Sequence, residues 1–290
     1  MQRVALDDGS RAYVLTEVIG PVGVGDELVV NTTAVDLGLG TGGWHVVHWN
    51  LARRAFTGPA PGREMKLRYT SEQLPVRMAP PVRDRLDGAP VVVCDLHSQV
   101  ACVAYAFAAR APAGARLVFV MTDSASLPLA LSDLVPTLPL AATVTCGQAF
   151  GGDYEAVNVV SGLLAVAADA YVVGPGPGAV GTGSRFGFGG LEGAAIIDAV
   201  DRRGGRPILC ARWSSTDERP EHRGVSHHTT TVLSEARATP LVADPNEVDV
   251  PDLGLVLETM GRTDPEFVRW AAAAGALAAA LARAGPPPAN

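Results

Sequence analysis

The sequence has a single lysine, Lys66, and takes nearly all of its positive charge from arginine. A phosphate-binding loop of the G-K-[ST] type needs a lysine within that motif, and Lys66 does not lie in one. A Schiff-base enzyme, such as one that uses pyridoxal phosphate, would have to use Lys66, whose segment has no other catalytic signal. The sequence therefore argues against a Walker-type ATP site and against pyridoxal phosphate.

Charged residues of either sign are also few, at 18%, and the formal net charge is −7. Nucleic acid is not an expected partner, because phosphate backbones are bound by clusters of Lys and Arg. The N-terminus lacks a signal-like pattern, and the apolar segment 271–282 is too short to span a bilayer. The four cysteines have no short paired spacing, which fits free thiols in a reducing compartment. We therefore expect a cytoplasmic protein without a membrane partner.

The hydrophobic fraction of 48% is ample for a packed core. Short strands at 11–18, 27–32 and 44–49 alternate with glycine turns, which predicts a small β-rich, barrel-like domain at residues 1–85. From Val91, strands alternate with helices at 100–110, 127–135, 153–168 and 191–203. This alternation predicts an α/β domain at residues 90–245, with a mostly parallel sheet in three layers. Residues 246–290 are predicted to form a C-terminal extension whose helix packs on the core.

Polar residues follow nearly every predicted strand, and four of the six histidines lie in two of these loops. Parallel strands end at a common edge of the sheet, where open α/β sheets bind their ligands. The predicted catalytic residues are Asp95, His97, Asp123, His222, His227 and His228. The predicted substrate-binding residues are Ser98, Gln99, Thr122, Gln148, Asp153, Glu155, Gly178, Gly181, Thr182, Gly183, Arg212, Arg223 and Ser226.

Several of these residues also have a structural interpretation. Ser98 suits a helix cap, because a hydroxyl there accepts an unpaired backbone amide. Asp153 and Glu155 come where a helix is predicted to begin, so capping and the helix dipole would account for both. The sequence leaves both interpretations open.

Three imidazoles fall within the seven residues from His222 to His228. Imidazole is a good ligand for divalent transition metals and a good acid or base near neutral pH. A divalent metal is therefore a possible cofactor, with His97, His227 and His228 as the predicted ligands. Adjacent residues of an extended chain point apart, so only one of His227 and His228 is expected to face the site.

The glycine-rich segment 174–183 contains a G-x-G-x-x-G pattern from Gly176 to Gly181. In a dinucleotide-binding fold the third glycine opens a helix, whereas here the loop continues. A backbone cradle for a phosphate or carboxylate is the better prediction, with Thr182 and nearby arginines such as Arg223 as further donors. A flexible lid or a tight packing loop is the alternative.

Four motifs carry a resemblance to a known family: Cys94–Gln99, Thr145–Asn158, Gly181–Gly183 and His222–His228. Taken in order, they resemble a bacterial family catalogued as domain of unknown function 3866, and the similarity runs nearly end to end. The resemblance implies no particular activity. It also implies that Gln148, which is His in some relatives, is not an obligatory ligand or base.

The hypothesis that follows is an enzyme, a hydrolase or group transferase, acting on a small anionic substrate that is phosphorylated or nucleotide-like. Asp95 and His97 would be acid/base or metal groups, and His227 or His228 would complete the set. A non-catalytic module that senses or binds a metabolite is one alternative. A structural homo-oligomer is another, and a homodimer is expected as the assembly.

Overall fold

The chain divides into two compact units, one from Met1 to Met78 and one from Ala79 onwards. The structure is a computed structural model that describes residues 1–259 and 261–285. Every predicted site residue lies in the second unit.

The first unit contains an open four-stranded sheet in the order β1-β2-β4-β3. Two short helices lie between its strands, and a separate hairpin of β5 and β6 follows it. The predicted domain was β-rich and barrel-like; the unit contains a small sheet, but β1 and β3 are its edge strands and the residues described for this unit do not form a closed barrel. The elements are β1 (Gln2–Ala5), β2 (Arg11–Val14), α1 (Thr16–Ile19), β3 (Leu28–Asn31), α2 (Thr33–Asp36), β4 (Trp44–Asn50), β5 (Glu64–Lys66) and β6 (Leu74–Val76).

The second unit confirms the predicted α/β class and parallel sheet. Its main elements are β7 (Pro90–Val93), α3 (His97–Arg110), β8 (Leu117–Thr122), β9 (Ala142–Cys146), β10 (Tyr154–Ala156), α4 (Val159–Ala165), β11 (Ala170–Pro175), α5 (Glu192–Arg202) and β12 (Arg206–Leu209). They are followed by β13 (Trp213–Ser214), β14 (Gly224–Val225), α6 (His227–Glu235), β15 (Leu241–Val242), β16 (Glu258–Thr259), β17 (Arg262–Thr263) and α7 (Pro265–Ala284).

The seven-stranded sheet has the order β10-β9-β8-β11-β7-β12-β15, and all of its pairings are parallel. Its central strands are apolar and buried, as expected for strands covered on both faces. α3 and α7 pack on one face with Val92, Phe119 and Val172. α4, α5 and α6 cover the other face with residues such as Val93 and Val173.

The loops after β7 and β11 diverge, because the helices that follow these neighbouring strands lie on opposite faces of the sheet. Such divergence opens a crevice beyond the carboxyl ends of the strands, which is the usual ligand site of open parallel sheets. The carboxyl ends of β7 and β11 are therefore the place where a ligand site is expected in this fold.

α7 lies against α3, and small residues make this contact close. A Cβ atom added to Gly275 would lie 2.4 Å from the carbonyl oxygen of Val103. By length and composition α7 is able to cross a membrane, but half of its most apolar stretch is buried inside the protein. These contacts make α7 part of the core.

Two predicted helices are different in the structure. Residues 127–135 form only short 3-10 turns, at Leu129–Leu131 and from Val135. Residues 154–156 form β10, and the helix begins only at Val159. The carboxylates of Asp153 and Glu155 accept hydrogen bonds from Thr143 and Thr145 of β9, which holds this segment against the sheet.

Candidate functional site

The site is built where two distant segments of the chain meet at the carboxyl edge of the sheet. β7 and β12 are in-register neighbours; Asp95 follows β7, and the segment from His222 to His228 follows β12. The Asp95 Oδ2 atom lies 2.8 Å from His228 Nδ1, although the two residues are 133 positions apart in the chain. Both residues are buried.

Local structure fixes the histidine segment. β13 and β14 pair antiparallel, and the segment between them includes a short 3-10 turn at Pro220–His222. Ser226 then caps α6, because its Oγ accepts the backbone N–H of His228 at 3.2 Å. The same oxygen lies 2.7 Å from His222 Nδ1, so the helix cap also orients that imidazole.

The three imidazoles form a compact cluster. Their ring centroids are 4.8 Å apart for His222 and His227, 5.0 Å for His222 and His228, and 4.5 Å for His227 and His228. One nitrogen of each ring lies within 4.8 Å of the other two. The expectation that only one of His227 and His228 faces the site was wrong, because they occupy the first turn of a helix instead of extended chain.

His227 Nε2 has an unusual environment for a polar atom. It is buried and has no hydrogen-bond partner among the described residues. Buried polar atoms in folded proteins are nearly always paired, so an unpaired one calls for a ligand or a functional explanation.

Arg212 lies beside the Asp95–His228 pair and is also buried. Its Nη1 is 2.9 Å from His228 Nδ1 and 3.6 Å from Asp95 Oδ2. A guanidinium only donates and a carboxylate only accepts, so Nδ1 pairs with one of these neighbours at a time; in the tautomer with the proton on Nδ1, His228 pairs with Asp95. Arg212 then acts mainly as the charge that balances Asp95, and His228 Nε2 keeps a free lone pair.

The surroundings favour the neutral form of His222 and His227. Burial lowers the pKa of His222 to about 4, and the positive charges of Arg212 and Arg219 contribute to this shift. Burial, and then the neighbouring His228, lower the pKa of His227 as well. Positive charge therefore acts on His222 from the arginines around it, and His222 and His227 are both favoured in the neutral form at neutral pH.

The loop between β11 and α5 provides two further contacts that the sequence did not indicate. The Phe188 ring stacks on His228 at a centroid distance of 3.8 Å and an angle of 7°. Gly190 lies directly against Asp95, and a Cβ atom placed there would be 1.7 Å from Asp95 Oδ1. Glycine at this position is thus required by the close approach of the carboxylate.

Glu192 is a second carboxyl group at this edge that sequence reasoning missed. Its Oε1 accepts hydrogen bonds from Thr122 Oγ1 at 2.5 Å and Ser124 Oγ at 2.7 Å. Burial raises the pKa of Glu192, and the hydroxyl hydrogen bonds counteract that effect; the carboxylates of Asp123 and Asp95 raise it further. A glutamate in the first turn of a predicted helix resembles an ordinary capping residue, which is why it did not stand out.

His97 does not join the cluster. Its Nδ1 donates to the carbonyl oxygen of Pro175 at 2.9 Å, and its Nε2 lies 2.6 Å from Ser132 Oγ. Burial lowers the pKa of His97, so the neutral ring has its proton on Nδ1 and accepts the serine hydroxyl at Nε2. The imidazoles that lie together are therefore His222, His227 and His228, instead of the predicted set with His97.

Gln99 is fully buried and serves the loop itself. Its Oε1 accepts the backbone amides of Asp95 and Leu96, and its Nε2 donates to the carbonyl oxygens of Cys210 and Ala211. It joins the ends of β7 and β12 and so positions Asp95. The Gln99 side chain, which was predicted to bind substrate, is therefore used in hydrogen bonds within the protein. Ser98, in the first turn of α3, is half-buried.

The remaining predicted carboxylates support the fold near other strands. Asp123 accepts the backbone amide of Gln148 at 2.9 Å and closes the loop after β9. Asp153 and Glu155 bond to β9, at the far edge of the sheet. Five strand spacings, ~24 Å, separate β10 from β12. The structure does not bring Asp153 and Glu155 to the imidazoles.

The glycine-rich segment forms a hairpin-like loop. The amide of Thr182 donates to the Gly187 carbonyl at 2.7 Å, and its hydroxyl contacts Ser184 Oγ at 2.9 Å. The amides of Thr182 and Gly189 are thus used within the loop. Gly178, Gly181 and Gly183 are all exposed. This hydrogen bonding within the loop favours a structural role, the positioning of Phe188, more than the predicted role of a backbone cradle for a phosphate.

Arginines surround the other side of the histidine segment. Arg219 forms a two-pronged pair with Asp217, at 3.0 and 2.9 Å, and Arg262 donates to the same carboxylate at 2.8 Å. Arg223, next to His222, is exposed and donates through Nε to the Asp217 carbonyl at 2.9 Å. Arg223 thus lies at the surface beside the cluster.

Comparison with known proteins identifies a family but no characterised relative. The profile of the family described as "Protein of unknown function (DUF3866)" matches residues 11–263. Neither a curated protein nor a solved structure matches the chain.

Proposed function

Because the chain belongs to the DUF3866 family, which is described as having unknown function, we propose an activity from the chemistry of the site itself. The protein is an enzyme that hydrolyses a small anionic substrate, phosphorylated or nucleotide-like, or transfers a group from it. The reaction takes place at Asp95, Arg212 and the three imidazoles of His222, His227 and His228.

The observation that carries this proposal is the buried contact between Asp95 and His228, with Arg212 beside it. Buried charges are costly to desolvate, and apolar residues of similar size often give equal or greater stability. A buried carboxylate, guanidinium and imidazole group at the ligand edge of a parallel sheet are therefore better explained by chemistry than by stability.

The charge around the cluster supports an anionic substrate. Arg212 and Arg219 both act on His222 with positive charge. The exposed guanidinium of Arg223 lies next to His222 in the chain, and only its Nε makes a described hydrogen bond. Arginine forks bind phosphate and carboxylate groups through paired hydrogen bonds, so Arg223 suits the role of the first contact with substrate.

Each group of the site has its own role in the proposed reaction. Asp95 fixes the tautomer and the orientation of His228, as carboxylates do for catalytic and metal-bound imidazoles. The imidazole lone pairs activate a water molecule or acceptor, while the arginines hold the anion and stabilise the charge that develops on it. Phe188 covers one face of His228 and limits its access to bulk water.

A substrate panel tests the proposal. Purified protein is incubated with nucleotides, sugar phosphates and simple phosphomonoesters, with divalent ions present, and product formation is measured. For a substrate that is turned over, Asp95→Asn should lower kcat/KM by about 100-fold or more, which is the usual contribution of acid–base machinery. Asp198→Asn is the matched control, because that carboxylate accepts two backbone amides elsewhere on the surface of the unit.

Two results would contradict the proposal. Full turnover by Asp95→Asn would place the chemistry elsewhere. A ligand that raises the Tm of the wild-type protein but is recovered unchanged would indicate a binding module instead of an enzyme.

A further inference from the structure

We propose that His222, His227 and His228 together bind one divalent transition-metal ion, with Zn²⁺ as the ion that fits the site best. The three side chains offer nitrogen atoms within 4.8 Å of one another. Imidazole nitrogen is a preferred ligand of Zn²⁺, and sites with three histidines are well known for this ion. The inference deepens the proposed function and rests on it only for the role of the metal in catalysis.

In two of the three rings, Nδ1 is hydrogen-bonded within the protein and Nε2 is available to a metal, as a metal site requires. His228 Nδ1 is held by Asp95, and His222 Nδ1 by Ser226. These contacts leave Nε2 of both rings for a ligand. Metal-bound histidines almost always use their second nitrogen in this way, bonded to a carboxylate or another oxygen that fixes the ring.

His227 provides an independent observation. Its Nε2 is buried and lacks a hydrogen-bond partner among residues 1–259 and 261–285, and its ring centroid is less than 5 Å from those of both other histidines. A metal ion shared by the three rings would accept its lone pair and would remove the unpaired buried atom.

The cluster needs little rearrangement to reach coordination geometry. Zn–N bonds of 2.0–2.1 Å in a tetrahedron place the ligand nitrogens ~3.3 Å apart, and the present separations are at most 4.8 Å. Within the described part of the chain, no hydrogen bond at Nε2 opposes rotation of the His227 ring. Asp95, 3.6 Å from Arg212, and Asp217, 2.9 Å from Arg219, offset part of the positive charge that the two arginines exert on the cluster, which lowers the repulsion that a cation would meet there.

The number of protein ligands indicates the kind of site. Structural zinc sites are usually closed by four protein ligands, whereas catalytic sites keep three and leave one position for water or substrate. Three imidazoles supply the second arrangement. When bound, the ion would act as a Lewis acid and lower the pKa of a water molecule in the open position.

The test is a calorimetric titration of tag-free, chelator-treated protein with Zn²⁺ alone. We expect one ion per chain in the wild-type protein. Asp95→Asn should weaken binding by ~10–100-fold, as is typical when the partner of a ligand is removed. His227→Ala should weaken binding further, and it should leave the fold intact because His227 Nε2 makes no hydrogen bond to any residue that the structure describes. His48→Ala, which alters an exposed histidine in the first unit, is the matched control and should bind like wild type.

A second measurement, made on the wild-type protein, tests the metal site even if one of the variants folds poorly. Co²⁺ added to the wild-type protein should produce the visible absorption of a four-coordinate site, and Zn²⁺ should displace it. No binding of either ion, or binding that is unchanged in folded His227→Ala, would overturn the metal site. Tight Zn²⁺ binding without turnover of any substrate would instead overturn the proposed function, and turnover unaffected by chelator would overturn the metal alone.

Discussion

At the residue scale, Asp95 is held from several directions at once. Gln99 accepts its backbone amide, His228 approaches its carboxylate, and Gly190 leaves just enough room for that carboxylate. Its position therefore depends on groups from three different parts of the chain. Such a residue has little freedom to move, which is what an orienting partner of an imidazole requires.

Gly190→Ala should disturb this arrangement. Its Cβ would lie 1.7 Å from Asp95 Oδ1 and 3.2 Å from Asp95 Cα, so the carboxylate has to shift. We expect the free energy of unfolding to fall by about 1–3 kcal/mol, as for other cases of overpacking. Gly181→Ala in the same loop is the control, because its nearest new contact is an ordinary 3.7 Å. Equal stability of the two variants in urea denaturation would contradict the described contact.

Glu192 gives a prediction about pH. Its pKa is raised in the folded protein, chiefly by burial, so folding favours the protonated form. The associated stability is fully present below the unfolded pKa, about 4.3, and is lost as the pH rises through the folded pKa. Glu192→Gln stays neutral and keeps an oxygen for the Thr122 and Ser124 hydroxyls. It should therefore be more stable than wild type near neutral pH.

Urea denaturation at about pH 7 and about pH 4, on either side of the ordinary glutamate pKa, measures this effect. The advantage of Glu192→Gln should shrink at the lower pH. Glu235→Gln, which alters a carboxyl in an exposed ion pair with Arg185, should change stability by no more than about 0.5 kcal/mol at either pH. A Glu192→Gln protein that is less stable than wild type near neutral pH would show that the ionised carboxylate is favoured instead.

The sequence indicated some site residues and missed others for identifiable reasons. Asp95 was found because it directly follows a predicted strand, and the histidine segment was found because three histidines lie in the loop after another predicted strand. His97 was included for the same reason, but its side chain turns towards Pro175 and Ser132, and strand periodicity does not specify that direction. Phe188 and Glu192 were missed because a contact through a long loop leaves no local pattern.

At the element scale, the cap of α6 joins secondary structure to the site. Ser226→Ala removes the oxygen that accepts the His228 amide and that lies 2.7 Å from His222 Nδ1. We expect a loss of about 1 kcal/mol in stability from the cap, together with weaker Zn²⁺ binding because His222 loses its orienting partner. Calorimetry on the folded variant measures the second effect.

Asn158→Ala provides the comparison for the cap. Asn158 caps α4 by accepting the Ser161 amide at 2.9 Å, so its loss should lower stability to a similar extent. It lies outside the histidine segment, and Zn²⁺ affinity should stay at the wild-type value. Equal losses of affinity in the two variants would show that general destabilisation, and not His222 orientation, is responsible.

The strands and helices of the second unit were predictable because hydrophobic strand segments alternate with helical segments along the sequence. This alternation also predicts that the sheet is parallel. β10 was not predictable in this way. Its segment is held because the carboxylates of Asp153 and Glu155 accept hydrogen bonds from the strand beside it, and the same acidic residues also suit a helix start. Tertiary contacts decided between two locally acceptable structures.

At the scale of the whole molecule, the central claim is that one fold brings residues 133 positions apart into a single hydrogen-bonded site. The topology provides the meeting point, since β7 and β12 are neighbours and their carboxyl ends share an edge. All groups of the proposed site lie in the unit that begins at Ala79.

A double-mutant cycle on Asp95 and His228 tests this claim most directly. The free energy of unfolding is measured by urea denaturation for wild type, Asp95→Ala, His228→Ala and the double variant. We predict a coupling energy of about 1–3 kcal/mol, with the double variant more stable than the sum of the single losses implies. Additive losses, within about 0.5 kcal/mol, would mean that the two residues do not interact and would contradict the site.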